Sequence, residues 1–315
     1  MADQIDAREA AETPLLSALL VVRGGQLVAE RYYNGFQAEE TFAAWSVAKS
    51  ITTIAAGIAF REGLFADLDQ TLGELMPDRI PAEADPRVQD ITLQHLLTST
   101  SGWEWDGRIN FSRHDETDDL DLALTRPMIC DPGDCFEYDN TNTNVLSYLI
   151  GTMSGGTMAD YLQPRLFDPL GIPRPEWLVT DDGANRGAGG LSMTPGDMTK
   201  LGYLYLNGGV WDGEQIVDEA WVTASTTEQA SGTSSTSGVN ISNGSAYGYQ
   251  WWITETSGYP VFYGNGYGGQ TLYVAPDLDL VVTTAVAGTD VNAPDDQQPV
   301  MPIIEELIVP AVIGG

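Results

Sequence analysis

Trp45-Ser46-Val47-Ala48-Lys49-Ser50 opens a stretch running on to Leu64, in which Ile51, Ile54, Ala55, Ile58 and Ala59 recur at helical spacing before Gly63 stops it. Small and apolar residues occupy most of its circumference, so the spacing predicts a helix buried inside a domain rather than lying on its surface. The first turn carries the polar exceptions. Ser46 and Lys49 stand three residues apart on one face, so the serine hydroxyl and the lysine ammonium can meet. At a helix N-terminus, unpaired N–H groups and the macrodipole favour negative charge developing on Ser46. The apolar setting disfavours the charged form of Lys49, which fits it to act as a base toward the serine. The ordinary alternative is a capping serine and a lysine whose head snorkels out to water.

On the N-terminal side, residues 17–33 read as two β-rich runs joined by Gly24-Gly25, a hairpin signal. Beyond the helix, residues 65–210 alternate short helical patterns with loops containing proline and glycine. The clearest helices there follow Thr92 and Thr194, the second with Pro195 at its first position and Asn207-Gly208-Gly209 as its stop. Residues 226–246 turn rich in Ser, Thr and Gly, a long loop with the character of a lid. Strands are expected at 247–253, 259–263, 270–275 and 279–287, and a last helix at 298–309. Two early strands, a helical middle and late strands predict an α+β fold: an antiparallel sheet built from both chain termini, flanked by helices, with an inserted mainly helical lobe. The expected division is a sheet lobe of 1–64 and 211–315 and a helical lobe of 65–210, with the active site between them.

Several further segments accompany Ser46-Val47-Ala48-Lys49 in order: Ile91-Thr92-Leu93-Gln94-His95-Leu96-Leu97-Thr98-Ser99-Thr100-Ser101-Gly102, Tyr138-Asp139-Asn140, Gly189 to Asp197, Tyr247 to Trp252, and Gly266-Tyr267-Gly268-Gly269-Gln270. With this set the chain resembles the serine β-lactamase and penicillin-binding-protein superfamily, and within it the class C-like branch of family VIII carboxylesterases and 6-aminohexanoate-dimer hydrolases. The resemblance implies a β-lactamase/transpeptidase-like fold, with Ser46 as nucleophile and Lys49 and Tyr138 as its proton-transfer partners. It implies a substrate contact for Asn140 and an oxyanion hole from the Ser46 and Tyr267 backbone N–H groups. Two other Tyr-x-Asn matches, Tyr32-Tyr33-Asn34 and Tyr205-Leu206-Asn207, lie in a strand and at a helix end. Only the one at 138–140 precedes a helix where the family uses it. The chain departs from the pattern where class C enzymes carry Lys-Thr-Gly, having Gly264-Asn265-Gly266 instead. The glycines permit close backbone approach, but the cation that would hold a substrate carboxylate is missing. Asn265 and Gly266, with Trp103, Trp105 and Trp252, are the remaining candidates for substrate contact, although core packing is the plain alternative for the tryptophans.

Composition narrows the function from another direction. Fourteen Lys+Arg against 45 Asp+Glu give a net charge of −31, and the only lysines are Lys49 and Lys200. Without a basic stripe, nucleic acid and anionic membrane surfaces are excluded as partners, and no apolar run is long enough to span a bilayer. Such acidity suits a salt-tolerant protein. Cys130 and Cys135 flank an Asp-Pro-Gly-Asp turn and are either a disulfide or two free thiols. His95 and His114 lie near no cysteine, so no metal is expected, and neither histidine is placed as a catalytic base. No cofactor is called for. The chain opens Met-Ala-Asp-Gln without a basic, apolar leader, which fits a cytoplasmic protein or a mature secreted or periplasmic form, the latter being preferred. The expected activity is hydrolysis of small neutral esters through an acyl-serine. Amidase action on short amide oligomers comes next, then β-lactamase or D-Ala-D-Ala peptidase action. A catalytically silent binding protein on the same fold is the non-enzymatic rival.

Overall fold

The computed structural model describes residues 15–107, 120–234, 244–288 and 299–314. His114 and the centre of the expected 226–246 loop lie outside them. Strands β1 (Ala18–Arg23) and β2 (Gln26–Tyr32) form the hairpin, turning at Gly24 and Gly25 with φ of 57° and 70°. A small three-stranded sheet contains β3 (Phe42–Ala43), β4 (Glu176–Trp177) and β5 (Leu191–Met193), and β6 (Val210–Trp211) pairs with β7 (Glu214–Gln215). The late strands are β8 (Ala246–Tyr247), β9 (Trp252–Thr256), β10 (Tyr259–Gly266), β11 (Gln270–Ala275) and β12 (Leu280–Ala285).

The main sheet has seven strands in the order β2-β1-β12-β11-β10-β9-β8, each neighbouring pair antiparallel. Leu20 pairs with Thr283 and Val21 with Val282, so the first strand closes on the last and the intervening chain is an insertion between them. The period of two divides the sheet's apolar residues between its faces. Leu20, Val22, Leu272 and Val274 enter one core with the central helices, whereas Leu19, Val21, Tyr273 and Val282 enter another beneath Ile303, Ile304 and Ile308 of the C-terminal helical segment.

The helices that bear on the site are α1 (Val47–Arg61), α2 (Leu93–Thr98), α3 (Asn140–Ser154) and α4 (Pro195–Leu206). α1 is buried for most of its length, as its composition predicts. Thr92 and Thr194 cap α2 and α4, accepting from His95 N and Asp197 N, and His95 Nδ1 completes the α2 cap by accepting from Thr92 N. α4 lies flat on the sheet because Gly202 faces Leu272 and Val281: a Cβ there would stand 2.6 Å from Leu272 Cδ1.

The strand expected at 247–253 is instead two strands. Tyr247 pairs with Trp252, and Gly248 to Trp251 form the turn between them, with Gln250 at φ 61°. Buried hydrogen bonds from Gln250 draw the chain out of the ladder, overriding the β-propensity of the aromatic run. The last helical segment runs 301–314, somewhat beyond the expected 298–309.

Candidate active site

The chain leaves β3 and enters α1 through Trp45, whose φ of 48° is unusual for a bulky residue. Ser46 occupies the N-cap position with near-helical angles, and its hydroxyl makes no capping bond to the first turn. It accepts instead from Lys49 Nζ at 2.9 Å. Lys49 is 1% exposed, so the snorkelling alternative does not describe it. Its Nζ also donates to Asn140 Oδ1 at 2.6 Å and to the Ala188 carbonyl at 3.2 Å, and stands 4.7 Å from the centre of the Tyr138 ring. The Tyr138 phenol lies near enough to Ser46 for the serine to favour its ionised form. Four residues expected to act together thus meet at one point, drawn from the start of α1 and the approach to α3.

Burial sets the proton affinities of this cluster. Desolvation, reinforced by the positive charge of Arg186 and opposed by Asp139, lowers Lys49 to about 7. Desolvation raises the Tyr138 phenol to about 12, against the lowering effect of Ser46. Above about pH 7 an uncharged amine therefore faces a protonated phenol. The charged amine donates to all three of Ser46 Oγ, Asn140 Oδ1 and the Ala188 carbonyl; once it is neutral, the latter two can take its two hydrogens, and the contact with Ser46 reverses so that its lone pair faces the serine hydroxyl.

Tyr138 is held by features that sequence reasoning did not single out. Asp139 caps α3, accepting from Thr141 N at 2.8 Å. Its carboxylate also binds Arg126 at 2.7 and 3.2 Å, in a pair whose side chains are almost wholly buried. Arg126 in turn reaches Thr141 Oγ1 at 2.8 Å. An acid at a helix start was a readable capping signal, but nothing local marked Arg126 as its partner. Gln250 joins the surrounding elements: its carbonyl accepts from Ser50 on α1, its Oε1 accepts from Thr143 on α3, and its Nε2 donates to the Leu96 and Leu97 carbonyls of α2. Cys130 and Cys135 are joined as a disulfide, closing the loop ahead of Tyr138. That loop docks on the end of α2 through Gly133 N to Thr100 O and Glu137 N to Ser99 O.

The end of β10 lies against the entry to α1. A Cβ on Gly266 would stand 2.5 Å from the Ala44 carbonyl, and one on Gly264 would stand 3.0 Å from Ser50 Oγ and 3.3 Å from Val47 Cγ1. A side chain at position 264 would therefore need Ser50 and Val47 to give by a few tenths of an ångström. The Trp45 and Tyr267 rings meet edge-on at 5.7 Å. Asn265 projects from the opposite face of β10 to Gly264 and is partly exposed.

The tryptophans separate. Trp252 stacks on Tyr138 at 5.2 Å but is only 2% exposed, so it supports the phenol from behind rather than offering an open wall. Trp103, 1% exposed beneath Arg126, belongs to the core, because its burial leaves no face for a ligand. Trp105 is partly exposed. Among the described residues, no His, Cys, Asp or Glu cluster is arranged to hold a metal, and no helix is long and apolar enough to cross a membrane.

Comparison with known proteins agrees with this architecture. A 6-aminohexanoate-dimer hydrolase from Paenarthrobacter ureafaciens is 27% identical over 292 residues, which cover 88% of this chain and 74% of that protein. A lovastatin esterase from Penicillium rubens is 28% identical over 188 residues, 52% of this chain and 46% of the esterase. The octameric penicillin-binding protein homologue from Pyrococcus abyssi shares the fold, with a TM-score of 0.75 and 18% identity across 99% of this chain and 76% of that one. The beta-lactamase family model matches residues 9–300, and the chain belongs to that family.

Proposed function

We propose that this protein is a serine hydrolase that cleaves carboxylic esters of small neutral substrates through an acyl-serine intermediate, in a site between the lobes 1–64 with 211–315 and 65–210. The observation that carries the reading is Lys49: a buried amine lowered to about 7, in contact with Ser46 Oγ, Asn140 Oδ1 and the Ala188 carbonyl. Ser46 Oγ attacks the ester carbonyl as its proton passes to Lys49. The backbone N–H groups of Ser46 and Tyr267 hold the oxyanion. As the tetrahedral adduct collapses, Tyr138 gives its proton to the departing alkoxide and regains one from Lys49. Water then enters by the same route in reverse and releases the acid.

Gly264, tightly set against Ser50 and Val47, supports neutral over anionic substrates, since it supplies no cation to hold a carboxylate. A second reading, amidase action on short linear amides, is favoured by the similarity to the 6-aminohexanoate-dimer hydrolase across most of the chain. A silent binding protein has no use for a buried amine whose desolvation is costly.

Labelling with a fluorophosphonate and locating the adduct by mass spectrometry tests the mechanism. An adduct on Ser46, lost in Ser46→Ala, is expected, and labelling elsewhere would overturn it. Turnover of a p-nitrophenyl ester above a linear aminohexanoate dimer, and of both above a chromogenic cephalosporin, is the expected ranking. Turnover of the cephalosporin alone would refute the substrate argument.

A further inference from the structure

A second concave surface lies beyond the end of α1 opposite to Ser46. Arg61, the last residue of α1, donates through Nη1 to the Ile216 carbonyl at 2.6 Å, just after the β6–β7 hairpin. A helix of 15 residues is about 22 Å long, which sets this region well apart from the serine. Here Tyr203, Asn207, Val210, Trp211 and Asp212 line a cleft of about 610 Å³. Tyr203 and Asn207 stand four residues apart on one face of the α4 end. Trp211 ends β6, and Asp212-Gly213 make the hairpin turn with φ of 49° and 82°, the left-handed pair that a two-residue turn of this kind requires. The hairpin is fastened to the end of α4, because Gln215 Nε2 donates to the Gly208 carbonyl and Ile216 N to the Gly209 carbonyl, both at 2.8 Å. The lining is therefore held in place by the fold itself.

The Tyr203 and Trp211 rings meet edge-on at 6.0 Å and 84°, so two partly exposed π-surfaces form a corner. Asp212 and Asn207 are exposed beside it, and among the described residues none pairs with the Asp212 carboxylate or hydrogen-bonds the Asn207 amide. The cations of the adjoining helices are engaged elsewhere: Arg61 on the Ile216 carbonyl, and Lys200 on Asp197 and the Gly171 carbonyl. A ring face attracts a cation through its quadrupole, and an uncompensated carboxylate in a chain of net charge −31 adds to the same sign. We propose that this cleft is a binding site for a small organic cation, an alkylammonium group seated in the Tyr203–Trp211 corner with Asp212 as its counter-ion. Asn207 is placed to hydrogen-bond a polar substituent of the same ligand. A neutral sugar could lie on one ring, but it would draw nothing from the charge of Asp212 or from the second π-surface. The site does not depend on the reaction at Ser46.

The test is titration of the full chain with choline, and with its neutral isostere in which a tert-butyl group replaces the trimethylammonium, at constant ionic strength. Binding is followed through the Trp211 indole N–H resonance, assigned by its loss in Trp211→Leu. Choline is expected to shift that resonance saturably and to bind at least about fivefold more tightly than the isostere. Asp212→Asn, which suits the same left-handed turn position, should weaken choline about fivefold while the isostere stays within about twofold. Tyr203→Leu should weaken choline to a similar degree, and near-UV circular dichroism checks that each variant is folded. Equal affinity for choline and the isostere overturns the proposal by making the cleft an apolar hollow, and so does a resonance that choline does not move. Choline affinity unchanged in both folded variants puts the site elsewhere and overturns it as well. A shift caused by maltose or cellobiose while choline is silent makes the cleft a sugar platform instead. Should neither variant fold, the comparison of choline with its isostere at Trp211 still decides.

Discussion

Replacing Lys49 by methionine should remove a pH dependence of stability that the wild type owes to one proton. The unfolded chain holds that proton up to the ordinary lysine value of 10.5, whereas the folded chain releases it near 7. Between those limits unfolding takes up a proton, so stability rises with pH. The limiting slope is about 1.4 kcal/mol per pH unit, and the gain integrated from about pH 7 to about pH 9 is about 2 kcal/mol. Lys49→Met keeps the length of the side chain and lacks the titration. Urea unfolding of both proteins at several pH values then isolates the effect, because every other group titrates in both and cancels in the difference. The wild type should gain about 2 kcal/mol on the variant over that window, with the two curves running parallel well below pH 7. Parallel curves throughout would mean that the folded protein carries a charged Lys49 at neutrality. The amine could then not accept the serine proton, and the argument from burial would fail.

Gly264→Lys, which restores the family's cation in sequence, should destabilise the fold by about 1–3 kcal/mol and lower esterase activity without creating cephalosporin hydrolysis, because the new Cβ meets Ser50 and Val47. Thermal unfolding and a chromogenic cephalosporin check both halves. Arg126→Met should cost about 3–5 kcal/mol by leaving the Asp139 carboxylate buried without its cation, while Arg126→Met with Asp139→Asn should recover part of that loss; an additive double-mutant cycle would refute the coupling. Raising salt from about 0.1 M to about 1 M should increase the urea midpoint, since the Debye length falls from about 10 Å to about 3 Å and screens the acidic surface against itself. A midpoint that does not move would dismiss salt tolerance as the meaning of the −31 charge.

What could be read from the sequence and what could not divide along a physical line. The hairpin at Gly24-Gly25, the capped α4 and the buried α1 each follow from local periodicity and from residues with one strong backbone preference, and the structure contains all three. Ser46 with Lys49 was legible for the same reason: three residues on a helix define a direction. Tyr138 was legible only through its resemblance to a pattern, with its place ahead of a helix separating it from Tyr32 and Tyr205. The partners that determine how these groups behave arrive across long separations. Arg126 reaches Asp139, Ala188 reaches Lys49 and Gln250 reaches Ser50, each through a hydrogen bond that no local spacing encodes. The tryptophans show the converse, because size and position left both a pocket wall and core packing open, whereas exposure, a property of the whole fold, puts Trp103 in the core and Trp252 against Tyr138. Lysine scarcity gains its meaning in the same way. Lys200 lies partly exposed against Asp197 as an ordinary surface pair, whereas Lys49 is sealed beside three acceptors. The composition identifies both as rare, but only burial gives one of them a lowered proton affinity.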